Sequence, residues 1–121
     1  MQQIERIYLA SPYTDPDPAI RRARFETVTR AAGELMKRRY IVFSPITMGH
    51  SISEACADIP GDFGYWGRTC LSYLEGWATR LVVLTLDGWE ESRGVTAEIA
   101  AAAKAGLPIE YLSPAHIGVA R

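Results

Sequence analysis

Cysteine is scarce in this sequence: 121 residues hold only Cys56 and Cys70. The two share no metal-type spacing and cannot build a disulfide framework, so they read as reduced thiols of a cytoplasmic protein. No apolar run approaches the ~18–20 residues of a membrane span, and no charged-then-apolar leader opens the chain. Neither sign of charge dominates, with 13 Lys and Arg against 14 Asp and Glu and a net charge of −1. That balance leaves no basic face for a nucleic-acid polymer. The bunched cations Arg21, Arg22 and Arg24, and Lys37, Arg38 and Arg39, read first as solvated helix surface. There is no GxGxxG fingerprint and no Cys/His/Asp cluster at ligand spacing, so neither a dinucleotide cofactor nor a metal is expected. Repeats and low-complexity tracts are missing too. What is present is a chain with 48% hydrophobic and 22% charged residues. It can bury a real core, and its length fits one domain over residues 1–121.

Four apolar segments punctuated by turn residues carry the fold. Ile4–Ala10 becomes continuously apolar before Ser11-Pro12-Tyr13, and Tyr40–Phe43 is stopped by Ser44-Pro45. Leu81–Leu86 is the clearest strand, and Pro108–Leu112 is the last. Between them, Phe25, Val28, Ala32, Leu35 and Met36 recur at helical spacing over Ala19–Arg39. Leu71, Leu74 and Ala78 do the same over Trp66–Thr79, and an Ala-rich helix runs from Gly94 to Ala105 with Gly106 closing it. Residues 44–65 carry prolines and glycines without a sustained period. They are expected to form a long loop, and with it the stretch most mobile or most responsive to a ligand. Strands alternating with helices predict an α/β, flavodoxin-like or Rossmann-like three-layer sandwich on a parallel sheet of about four strands. In such sheets ligands sit outside the carboxyl ends of the strands, here Ser11-Pro12-Tyr13, Ser44-Pro45 and the turn 87–94.

The third of these turns holds the best candidates for chemistry. Glu98 falls within about the first turn of a helix leaving the sheet edge, where the dipole favours an ionised carboxylate able to act as nucleophile or base. Gly94 would let backbone amides approach an anion or a sugar, and Ser92 adds a hydroxyl. The same residues also read as a plain helix start, with Ser92 as the cap and Glu98 answering the dipole. Asp87 stands at a strand end in the right crevice, although Asp-Gly is also a common turn pair. His50, Phe63, Tyr65 and Trp66 offer aromatic surface on which a nucleobase could stack. Arg21 and Arg93 are candidates to meet a phosphate or simply to face water.

Tyr8-Leu9-Ala10-Ser11-Pro12-Tyr13 closing the first strand, together with Ser92-x-Gly94-Val95-x-x-Glu98 after the third, resembles the nucleoside 2-deoxyribosyltransferase superfamily. The chain is similar above all to its short members with a Gly-Trp-Glu-x-Ser-x-Gly turn and to its 2′-deoxynucleoside 5′-monophosphate N-glycosidase branch. The resemblance implies that Glu98 attacks C1′ of a deoxyribose and displaces the base. It implies that Tyr8 orients that glutamate, and that Glu75, on the helix before the third strand, protonates the leaving base, with Asp62 as rival. Ser92 stands where enzymes acting on free nucleosides carry an aspartate. A serine hydroxyl can donate to a phosphate that an aspartate would repel. Gly94, Ser11 and the backbone after Ser11, including Pro12 and Tyr13, would complete a site for the substrate with His50, Asp62, Trp66 and Asp87. The resemblance further implies an enzyme without an organic cofactor, working as a homodimer or higher oligomer on a small nucleotide. Hydrolysis and transfer to a second base both remain open. So do action on the free nucleoside and a non-catalytic module that binds or sequesters a nucleotide.

Overall fold

The computed structural model describes residues 4–119. The four strands are β1 (Arg6–Ala10), β2 (Ile41–Phe43), β3 (Arg80–Leu84) and β4 (Ile109–Leu112), and they form one parallel sheet in the order β2-β1-β3-β4. The helices are α1 (Pro18–Lys37), α2 (Pro45–Ala55), α3 (Phe63–Gly76), α4 (Arg93–Lys104) and the short α5 (Pro114–Ile117), with a 3₁₀ turn at Trp89–Glu91. Alternate residues of a strand point to opposite faces, and here both faces are covered. Ile7, Leu9, Val82 and Leu84 pack with Val28, Ala31, Ala32 and Leu35 of α1 and with Ile117 of α5. Tyr8, Ala10, Leu81 and Val83 pack with Cys70 and Leu74 of α3 and with Val95 and Ala102 of α4. The result is a flavodoxin-like three-layer α/β fold.

Strand order fixes where a site can form. The chain leaves β1 through α1 to reach β2 on one side, then crosses back through α2 and α3 to β3 on the other. Right-handed crossovers in opposite directions put α1 and α3 on opposite faces and open a crevice between the carboxyl ends of β1 and β3. Residues 11–17 and the segment that begins α4 both issue from that crevice.

Several sequence expectations are corrected by this architecture. Eleven of the residues 44–65 form α2 rather than a loop, which also removes the basis for calling the whole stretch mobile. Ser44 caps this helix, its Oγ accepting from the Thr47 amide at 3.2 Å, and Pro45 occupies the first turn, where a missing N–H costs nothing. Gly49 lies against the Trp66 ring, where an added Cβ would stand 3.9 Å from it. Likewise α3 starts at Phe63, because Asp62 Oδ1 accepts from the Tyr65 amide at 2.8 Å. The connection between the two helices is thereby reduced to residues 56–62. Met36, expected on the apolar stripe of α1, is instead exposed, and Ala31 takes its place in the core.

Candidate active site

A cavity of about 600 Å³ occupies the crevice. The loop after β1 contributes Ser11, Tyr13 and Thr14, and α1 adds Arg21 and Arg22. Gly49, His50 and Glu54 enter from α2, Phe63, Trp66 and Cys70 from α3, and Ser92, Gly94 and Glu98 from the start of α4.

Glu98 sits at the base. Val95, Glu98 and Ala102 share one face of α4, and that face is pressed onto the sheet, so the carboxyl is buried with only 4% of the residue exposed. The hydroxyl of Tyr8, itself wholly buried in β1, donates to Glu98 Oε2. Burial pushes the Glu98 carboxyl up to about 7, and the Tyr8 hydrogen bond holds it from rising further. The expectation that the helix dipole leaves this group an ordinary ionised carboxylate is therefore corrected. Desolvation outweighs the dipole, and the acid is poised between its two forms near neutral pH. Tyr8 is driven upward by its burial and by the adjacent carboxylate, so it remains a donor. Cys70 lies nearby in the cavity wall. Burial, then the charge of Glu98, pushes its thiol up to about 11, which makes it apolar lining rather than a nucleophile.

Above this pair stand groups suited to a polar ligand. Ser11 is 3% exposed, lines the cavity, and its Oγ has no hydrogen-bond partner within the protein. A buried hydroxyl without a partner costs free energy unless something supplied from outside completes it. Ser92 caps α4, its Oγ accepting from the Val95 amide at 3.2 Å, which leaves the hydroxyl proton free to donate. Arg21 is half-buried and donates to the Asp15 carbonyl. Gly94 lines the cavity and also serves the packing of α3 against α4. An added Cβ there would lie 3.2 Å from Cδ1 of Phe63, so its bareness admits the Phe63 ring, which also fills the space beside Gly67 on α3.

Tyr13 and His50 form a second polar cluster. The Tyr13 hydroxyl lies 2.7 Å from His50 Nδ1, and the imidazole is stacked on Phe25 of α1 with ring centroids 3.9 Å apart. His50 Nε2 is 3.1 Å from Glu54 Oε1, one turn along α2, but out of line for hydrogen bonding, so that nitrogen is left unsatisfied. Glu54 also meets Arg22 Nη1 at 3.2 Å.

Several expected residues fall elsewhere. Glu75 is exposed on α3 and does not line the cavity, because helical spacing turns it away from the Cys70 and Leu74 face. Asp87 is likewise exposed outside it, and its carbonyl accepts from Arg24 Nη2 at 3.2 Å. Pro12 is buried and supports the turn without lining the cavity. Asp62 does line it, as the exposed cap of α3, and Trp66 lines it with its Nε1 donating to the Pro60 carbonyl at 2.9 Å. Sequence reasoning missed Glu54, Arg22 and Cys70. The signal for Glu54 was its i, i+4 spacing from His50, legible only once residues 45–55 are read as a helix. Arg24 was missed as a clamp: its guanidinium donates to the Thr14 carbonyl at 3.0 Å as well as to Asp87, tying the loops after β1 and β3 together.

Fold and site together define a flavodoxin-like α/β protein with a buried tyrosine–glutamate pair under a polar cavity. Residues 5–113 match the family described as "Domain of unknown function (DUF1937)", and the chain belongs to that family. No curated protein matches the sequence. Among the described residues no helix is long and apolar enough to cross a membrane, and no three His, Cys, Asp or Glu side chains gather as a metal site.

Proposed function

We propose that the protein cleaves, or transfers across, the N-glycosidic bond of a 2′-deoxynucleoside 5′-monophosphate, with Glu98 as nucleophile. The observation that carries this reading is the buried Glu98 carboxyl, held by Tyr8 at the floor of a cavity whose walls bear unpaired or half-free hydroxyls. A carboxylate of raised pKa at the carboxyl edge of a parallel sheet is costly to bury and is suited to forming a transient ester. Attack on C1′ forms a deoxyribosyl ester as the base departs, and water or a second base then resolves it. Retaining glycosidases split one hard substitution into two in the same way. Trp66 and Phe63 supply apolar surface to a base, while Ser11, Ser92 and Arg21 supply donors to a phosphate. The absence of Glu75 from the cavity favours a second reading, in which the site binds a nucleotide without cleaving it. Incubation with a panel of deoxynucleotides, followed by chromatography for free base, separates the two. Released base supports cleavage, whereas tight binding with no release supports the binding module.

The phosphate assignment has its own test. Charge-assisted hydrogen bonds contribute about 1.5–3 kcal/mol each. Monophosphates should therefore exceed the matching nucleosides in kcat/KM by at least ~10-fold, since 1.4 kcal/mol is about one decade. Ser92→Asp should erase that preference by setting a negative charge against the phosphate. Aspartate caps a helix about as well as serine, so α4 should keep its start and thermal stability should change little. Equal use of nucleoside and monophosphate by the natural protein, at matched salt, would return Ser92 to the role of a helix cap.

A further inference from the structure

Displacing a nucleobase requires a proton for its departing nitrogen, and the two carboxylates expected to supply it do not suit the task. Glu75 lies outside the cavity, and Asp62 is exposed at its rim, where its carboxylate caps α3. The α1–α2 side of the same cavity holds a different arrangement. We propose that Tyr13 is the proton donor to the leaving base and that His50 positions and reprotonates it, an inference that rests on the cleavage reading above.

Three observations support this. Tyr13 lines the cavity, and its hydroxyl is 2.7 Å from His50 Nδ1, a distance for direct proton exchange. The imidazole is fixed from both sides, by Phe25 stacked at 3.9 Å and by the Tyr13 ring set edge-on at 5.7 Å. Its far nitrogen lies buried 3.1 Å from Glu54 Oε1 with no hydrogen bond of its own, so a small shift of either side chain completes a carboxylate–imidazole–hydroxyl series. Histidine is the side chain best suited to take up and give up protons near neutral pH. The charged or titratable groups around the pair are Glu54 on α2, Arg22 on α1, which meets Glu54 at 3.2 Å, and Arg21 on α1 beside Tyr13. Burial holds the Tyr13 phenol above its usual range, which keeps the terminal group protonated between turnovers.

In the first step a Glu98 oxygen bonds to C1′ while the electron pair of the C1′–N bond goes to the base. The Tyr13 hydroxyl proton passes to that nitrogen as His50 Nδ1–H returns a proton to the phenolic oxygen, leaving neutral imidazole. In the second step water attacks C1′ and frees the Glu98 carboxylate, and the proton it loses passes through Tyr13 to His50, restoring the imidazolium. Atoms and charge balance over the cycle with no co-reactant beyond water.

A leaving group that needs no proton tests the assignment. N7-methylated deoxyguanosine 5′-monophosphate carries a fixed positive charge on its base, which departs neutral without protonation. General acids typically contribute ~10²–10⁴-fold. Tyr13→Phe and His50→Gln should therefore lose at least ~100-fold in kcat/KM on the best ordinary monophosphate. On the N7-methylated substrate the same variants should stay within about 5-fold of the natural protein, since the missing step is not needed there. Equal losses on both substrates, or full activity on the ordinary one, would overturn the donor role. Tyr13→Phe keeps the ring, so it still reports if His50→Gln unfolds. Glu98→Gln measured alongside keeps the two ideas apart: it should fail on both substrates. A natural protein that cleaves neither substrate overturns the cleavage reading and the donor role with it.

Discussion

Glu98→Gln should abolish turnover and, at the same time, stabilise the fold above neutral pH. The loss of activity is expected to exceed ~10³-fold, because the amide can accept the Tyr8 hydroxyl but forms no ester, and removal of a nucleophile has effects of at least this order. The gain in stability follows from the raised pKa of the buried carboxyl. The carboxyl moves from an ordinary 4.5 to about 7 on folding, because burial penalises its charge. Between those two values the folded chain holds a proton that the unfolded chain has released, so stability falls as pH rises through the window. At about 1.36 kcal/mol per unit, the natural protein loses about 3 kcal/mol between pH 4.5 and 8 from this one residue. That contribution is fully present below pH 4.5 and gone above 7. Glutamine has no charge to desolvate, so the stability difference between variant and natural protein should grow by about 3 kcal/mol across the same interval. Urea unfolding at pH 4.5 and pH 8 measures it. A difference that does not change with pH would mean that Glu98 is solvated in the folded protein, and the nucleophile assignment would lose its basis.

The residues that were easy to place from sequence are those whose neighbours along the chain decide their role. β1 and β3 are continuous apolar runs, and a parallel sheet buried on both faces requires such runs. Ser92 precedes a helix and caps it, a relation settled within three residues. What sequence reading misplaced depends on contacts across the fold. Pro45 and Gly49 resemble breakers, yet Pro45 opens α2 and Gly49 lies within it, facing Trp66 of α3. Gly94 reads as a cradle for an anion, and its close contact with Phe63, thirty-one residues earlier, shows only in the fold. Glu75 has the right order along the chain and the wrong azimuth on its helix. Glu98 is the instructive case. Its position near a helix start suggested the dipole, whereas its spacing from Val95 and Ala102 already placed it on the buried stripe of α4. Helical periodicity, extended from the apolar residues to this carboxylate, is the stronger signal.

Tyr8→Phe should move the pH dependence of cleavage upward without removing the nucleophile. On the N7-methylated monophosphate, whose base departs without a proton, the ionised carboxylate alone sets the pH dependence, so log kcat/KM should climb with unit slope on the acid side and level off above about 7, where Glu98 gives up its proton. The Tyr8 hydroxyl donates to the charged form and so opposes the effect of burial. With phenylalanine the ring remains in the core beside Phe43, but the donor is lost and desolvation acts alone. A hydrogen bond to a charged group contributes about 1.5–3 kcal/mol, equivalent to roughly 1–2 pH units. The acid limb of the variant should therefore shift by that amount toward higher pH, while the plateau at alkaline pH recovers a substantial part of the natural rate. At pH 6 the two proteins should differ by ~10–100-fold, and at pH 9 by far less. The phosphate of a monophosphate substrate titrates near pH ~6 as well, so both proteins must be compared on the same substrate, for which that contribution cancels. A loss that is equal at every pH would show that Tyr8 supports the cavity floor without tuning Glu98. A limb displaced toward lower pH would reverse the sign of the interaction, and the tyrosine–glutamate pair would have to be read with the carboxyl, not the phenol, as donor.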